Sequence, residues 1–141
     1  MGLDMYLLKR RKDSEGHLDK QGHTHFTWDE VGYWRKANQV HKWFLDHCGL
    51  DEDFNCENAP LFKADLENLI DDCQYVLEHR HDENSDEIAE EFMPTQCGFF
   101  FGDYEYDDYY YHDLEDTIDI ATKVINETDW ENEIVCYSCW W

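Results

Sequence analysis

Residues 63–79, KADLENLIDDCQYVLEH, decide the fold class. Leu66, Leu69, Ile70, Cys73 and Leu77 recur every three or four positions and form one apolar stripe, the spacing of a helix with a single buried face. Asp65, Glu67, Asp71, Asp72 and Glu78 cover the other side. A helix that is greasy on one side only must lie on a second layer. The flanking sequence therefore has to supply one.

Working towards the N-terminus, residues 50–60 (LDEDFNCENAP) read as an acidic loop. Residues 36–48 read as a second helix, with Ala37, Val40, Phe44 and Cys48 at helical spacing and Gly49 as its stop. Residues 25–34 are rich in β-formers and predict a strand that Gly32 weakens. Residues 11–24 are polar, contain two glycines and read as a loop. Residues 2–9 predict a strand in which Leu3, Met5 and Leu7 alternate with Asp4, Tyr6 and Leu8.

Towards the C-terminus, Ser85 opens a short helix through Phe92, and Pro94 breaks the chain. Phe99, Phe100 and Phe101, between two glycines, read as a short buried strand. Residues 109–126 predict the last helix, with Leu114, Ile118, Ala121 and Ile125 facing inward, and residues 134–141 a terminal strand. The order predicts one α+β domain over residues 1–141: a small, mainly antiparallel sheet with three to four helices packed on one face. No internal repeat and no linker interrupts it.

The charge is very uneven. The chain carries 11 Lys and Arg against 34 Asp and Glu, a net charge of −23. Residues 1–42 hold eight basic and six acidic residues, whereas residues 43–141 hold three basic and 28 acidic. Such an excess opposes compaction through self-repulsion and suits either solubility or attraction to a basic surface. Aromatic residues make up 16%, more than a merely solubilising segment carries. No stretch approaches the ~20 apolar residues of a membrane span. Lys9-Arg10-Arg11-Lys12 is followed by no apolar run, so it is not a secretory signal. The expectation is a cytoplasmic protein whose six cysteines are thiols or metal ligands rather than disulfides.

The run at 103–116, DYEYDDYYYHDLED, interleaves seven acidic residues with five tyrosines. Carboxylates can stand in for phosphates, and tyrosine gives rigid contact area at small entropic cost. Asp103, Glu105, Asp107, Asp108, Tyr109 and Tyr110 are the candidate contacts to a basic surface of a nucleic-acid-binding protein. The same acids would repel nucleic acid itself. The bland alternative is that the acids of 113–119 form only the wet face of the last helix.

Cys136-x-x-Cys139 has the spacing of half a zinc site, although residues three apart on a strand point to opposite faces. With His41, Cys48 and Cys56 these cysteines are the candidate ligands of a structural zinc ion. His23-x-His25 is an alternative pair on one face of a strand. No Gly-rich phosphate loop, GxSxG or HExxH motif is present, so an enzyme is not expected. A hydrolase built on convergent carboxylates is the catalytic alternative.

Several blocks together resemble a family of small phage and prophage proteins: Met1-Gly2-Leu3-Asp4-Met5-Tyr6-Leu7, Val31-Gly32-Tyr33-Trp34-Arg35-Lys36, His41-Lys42-Trp43-Phe44, the segment from Pro94 to Gly102, and Tyr109-Tyr110-Tyr111 with Asp113-Leu114. The chain is also similar to zinc-containing anti-CRISPR proteins that act on type II nucleases. That resemblance implies an inhibitor that binds a host RNA-guided nuclease at its positively charged channels and blocks target DNA. It favours His41 and Cys56 as structural positions and marks Cys136 and Cys139 as a departure from the family pattern.

Overall fold

The structure, a computed structural model, describes residues 2–96 and 105–141. The Phe99–Phe101 strand expected from the sequence, Cys97 and Asp103 lie outside the described residues.

Strand β1 (Asp4–Arg11) is central and pairs antiparallel with β4 (Asp29–Arg35) on one side and with β6 (Glu133–Trp140) on the other. Strand β5 (Asn58–Leu61) adds antiparallel to β6, giving the order β4-β1-β6-β5. A separate ribbon, β2 (His17–Leu18) with β3 (Thr24–His25), forms inside the stretch that reads as loop in the sequence. The helices are α1 (Asn38–His47), α2 (Lys63–Glu78), α3 (Ser85–Phe92) and α4 (Asp108–Glu127). The α+β architecture, a small antiparallel sheet beside four helices, is the one the sequence predicts.

Pleating divides the sheet into two faces. Leu3, Met5 and Leu7 of the N-terminal segment stand beside Tyr137, Cys139 and Trp34, with Leu7 opposite Tyr137 and Met5 opposite both Cys139 and Trp34. All are buried, and they meet Val40 and Phe44 of α1, Leu66, Leu69, Cys73 and Val76 of α2, and Leu114, Ala121 and Val124 of α4. The Phe44 and Tyr137 rings stack at 4.0 Å. Gly32 interrupts β4 for a reason: a Cβ there would come within 2.7 Å of Ile120 on α4 and 3.2 Å of the Leu7 Cβ. The residue that weakens the strand is the one that lets α4 approach it.

Strand β5 falls in the predicted acidic loop. It contains Pro60, which has no N–H to give a second neighbour, and it is the edge of the sheet, where that loss is tolerated.

The N-terminal basic cluster does not form a patch. Lys9 reaches the last turn of α4, donating to the Glu127 carbonyl at 3.1 Å and pairing with Glu133 at 3.8 Å, where a cation suits the helix C-terminus. Arg10 points to the other face of the sheet and stacks its guanidinium 3.8 Å from the Phe26 ring centre. Arg11 pairs with Asp13 at 3.0 Å.

Candidate functional site: the acidic helical layer

The acids of 103–116 become a surface where α4 begins. Asp107 is extended backbone just before the helix, and its carboxylate accepts the Tyr110 N–H at 3.0 Å, one of the donors that a helix start leaves without a partner. Asp107 is therefore half-buried and engaged in capping. Asp108 and Tyr109 stand clear of the core, the Asp108 side chain 97% exposed and Tyr109 82% exposed. Glu105 is also exposed.

Tyr110 is a correction to the expected contact surface. It is buried, its hydroxyl donates to the Met93 carbonyl at 2.6 Å, and burial pushes its phenol well above the usual range. In a helix, successive residues turn by about 100°, so Tyr109 and Tyr110 cannot both face solvent once one of them anchors the core. Tyr111 is buried too, beneath Arg80. That arginine, just past α2, holds Asp108 at 2.8 Å and Glu115 at 3.7 Å and lies over the Tyr111 ring at 4.8 Å. Arg80, Asp108, Tyr109, His112 and Glu115 frame a shallow depression of about 390 Å³.

A narrower cleft of about 240 Å³ opens between the β4–α1 junction and the start of α4. Arg35, Lys36 and Gln39 line one side, and Glu105, Asp107, Tyr109 and Asp113 the other. Lys36 has left-handed backbone (φ 58°), which turns the chain sharply from β4 into α1. Gln39 donates to the Tyr110 carbonyl at 3.2 Å and to Asp113 at 3.4 Å. Burial raises the Asp113 pKa to about 6 against the partial relief of the Gln39 bond. On the sequence Asp113 reads only as part of a wet helix face. Gln39, a polar residue facing inward one position before Val40, was the available signal for this cleft.

No protein-family model matches the chain, and neither the curated proteins nor the solved structures gave a match. The functional reading therefore rests on the chemistry of the surface.

Of the five candidate zinc ligands, Cys136 lies on the far face of the sheet, while His41, Cys48 and Cys139 lie near Tyr137 and Cys56 lies near Cys139. His41 is fully buried on α1, its Nδ1 2.7 Å from the Tyr137 hydroxyl, and burial lowers its pKa to about 4. Cys48 ends α1. Cys56 is exposed in left-handed backbone before β5, where its N–H donates to the Cys139 carbonyl at 2.8 Å. Cys136 and Cys139 lie in one unbroken strand. Cys139 is opposite Met5 on the helix side, and Cys136 is opposite Leu8 on the other. The strand continues where a CxxC chelate would need a turn, so these two thiols do not converge. Burial pushes the thiols of Cys48 and Cys136 up to about 11 and that of Cys139 up to about 12, which keeps them protonated at neutral pH. Among the described residues, no three or more His, Cys, Asp or Glu side chains stand preformed around a metal position. No described helix is long and apolar enough to cross a membrane.

Proposed function

We propose that this chain is a non-catalytic interaction protein whose helical layer binds a positively charged surface built to hold nucleic acid. The observation that carries the reading is the concentration of acidic charge on α2, α3 and α4. Residues 63–127, which supply α2, α3 and α4, hold 20 acidic residues and three basic ones. Most of those acids are exposed, among them Glu67, Asp71, Glu87, Glu90, Asp108, Glu115, Asp116 and Asp119. The rest of the chain is much less acidic, with 14 acidic residues against eight basic ones. Exposed Glu105, Asp108 and Tyr109, with the Glu115–Asp119 stretch of α4, are the proposed contacts. A field of one sign accelerates encounter with a surface of the other and makes association sensitive to salt.

The partner class named by the resemblance, a host type II RNA-guided nuclease, is the one to test first in the host cytoplasm. Association would be measured across a salt series, with and without target DNA, for the native chain and for a Glu115→Lys/Asp116→Lys/Asp119→Lys variant. The expected result is binding that weakens with salt, competes with DNA and is lost in the variant. Equal binding by the variant at every salt concentration would sink the proposal.

One observation favours a second reading, carboxylate-based hydrolysis. Asp113, with a pKa raised to about 6, lies in a cleft beside Asp107 and Arg35, where perturbed acids often mark chemistry. An Asp113→Asn variant that inhibits as well as the native chain supports the first reading over this one.

A further inference from the structure

The β2–β3 hairpin packs chiefly on itself and not on the acidic helices, and its His23-x-His25 pair is the alternative pair of metal ligands expected from the sequence. Its pairing is regular: His17 faces His25, Leu18 faces Thr24, and the Asp19 N–H donates to the His23 carbonyl at 2.9 Å. Side chains alternate across a ribbon, so His17, Asp19, His23 and His25 all project from one face, while Leu18 and Thr24 project from the other. Directly opposed Cβ atoms on a ribbon are ~5 Å apart, and positions two apart on one strand are ~7 Å apart. Three imidazoles and a carboxylate thus share one face of the ribbon, where their present rotamers do not gather them around a common point and ring rotation has to bring them together.

The turn itself orients the carboxylate. Asp19 Oδ1 accepts the N–H groups of Gln21 and His23, each at 2.9 Å, and Gly22 takes the left-handed conformation (φ 84°) that closes this loop. With Oδ1 so held, Oδ2 turns to the histidines, lying 2.7 Å from His25 Nε2 and 3.6 Å from His23 Nδ1. Donor atoms sharing a tetrahedral zinc ion are about 3.3 Å apart, given metal–ligand bonds of ~2.0–2.1 Å. The two observed separations bracket that value. The His17 ring lies beside that of His25, with centroids 6.0 Å apart. His23 and His25 are mostly exposed, so rotating the rings into a ligating position meets little steric resistance. Hydrogen bonds to its carbonyl-side oxygen would hold the ligating carboxylate in place, the support that metal-bound carboxylates generally have.

We infer that this hairpin face is a binding site for a borderline divalent transition metal ion, with His17, His23, His25 and Asp19 as its donors. Imidazole nitrogen with one carboxylate selects Zn²⁺, Co²⁺, Ni²⁺ or Cu²⁺ over Mg²⁺ and Ca²⁺, which prefer all-oxygen shells. Neither the acidic helical layer nor the partner it binds enters this inference, so either can fail alone.

The test is a Co²⁺ titration of the full chain in excess Mg²⁺, which fills carboxylate-only sites, followed by visible absorbance. The expected result is one equivalent bound, with ligand-field bands and no thiolate charge-transfer band. A His17→Ala/His25→Ala variant should bind at least ~10-fold more weakly, since even losing an outer support of a ligand costs that much. Its metal-free melting temperature should match that of the native chain, because these side chains are exposed and lie outside the core. No Co²⁺ bound by the native chain, a thiolate band, or undiminished binding by the double variant would each overturn the inference.

Discussion

Two titratable groups on neighbouring elements should pull the acid limb of this protein's stability in opposite directions, so that single substitutions tilt it opposite ways. His41 is neutral in the folded state because its pKa falls from 6.5 to about 4, whereas an unfolded chain protonates it below 6.5. The unfolded state therefore binds the extra proton, and stability is lost as pH drops from 6.5 towards 4. At ~1.4 kcal/mol per pH unit the full loss is about 3 kcal/mol, of which about 2 kcal/mol falls between pH 7 and pH 5. Asp113 has the opposite sign. Its pKa rises from 3.8 to about 6, so the folded state binds the proton first and gains stability over nearly the same interval. That gain is about 1 kcal/mol between pH 7 and pH 5, once reduced for the solvent that reaches the carboxylate.

The assay is urea unfolding of three proteins at pH 7 and pH 5. Relief of repulsion among the other carboxylates is common to all three and cancels in the comparison. His41→Asn keeps a polar group opposite the Tyr137 hydroxyl and removes the titration, so it should be about 2 kcal/mol less acid-sensitive than the native chain. Asp113→Asn should be about 1 kcal/mol more acid-sensitive. If all three proteins change by the same amount between the two pH values, the burial of these side chains does not control their ionisation and the reasoning fails.

Gly32→Ala should destabilise the fold by ~1–3 kcal/mol, because the added methyl meets Ile120 and the Leu7 Cβ; chemical denaturation checks it. Thr117→Val removes the hydroxyl that accepts the buried Trp34 indole N–H at 2.9 Å, and should cost ~1–3 kcal/mol with a change in the near-ultraviolet circular dichroism of tryptophan. The Glu115→Lys/Asp116→Lys/Asp119→Lys variant should melt higher than the native chain in low salt, and the gap should close as salt screens the field; a variant that melts lower at every salt concentration contradicts this.

The long elements were legible in the sequence because one mechanism governs each of them. The stripe from Leu66 to Leu77 and the alternation of Leu3, Met5 and Leu7 answer to burial alone, and α2 and β1 appear within about two residues of where those patterns place them. Short strands carry no such period. Asn58–Leu61 has four residues and a proline, and becomes a strand only because β6 offers it an edge. The hairpin at 17–25 was hidden by polarity, since both its faces meet solvent and its signal is a turn, Asp19 to Gly22, rather than a stripe. The same distinction divides the site residues. Asp108 and Tyr109 could be placed outside from composition, but the inward turn of Tyr110 depends on reaching the Met93 carbonyl, a partner 17 residues away.

The acidity of the helical layer also has a structural cost that helps to explain where the few cations sit. Arg80 ties Asp108 and Glu115 together over Tyr111, and Lys9 crosses from β1 to the C-terminal turn of α4, where carbonyls and Glu133 concentrate negative charge. These two cations neutralise junctions between elements, whereas Lys42 pairs with Asp46 within α1 and Arg11 with nearby Asp13. On the outer faces of α3 and the middle of α4, Glu87, Glu90, Asp116 and Asp119 are exposed. Neutral junctions with charged faces are what a fold needs if it must remain compact while presenting a negative field outward, which is the arrangement that a cationic partner would read.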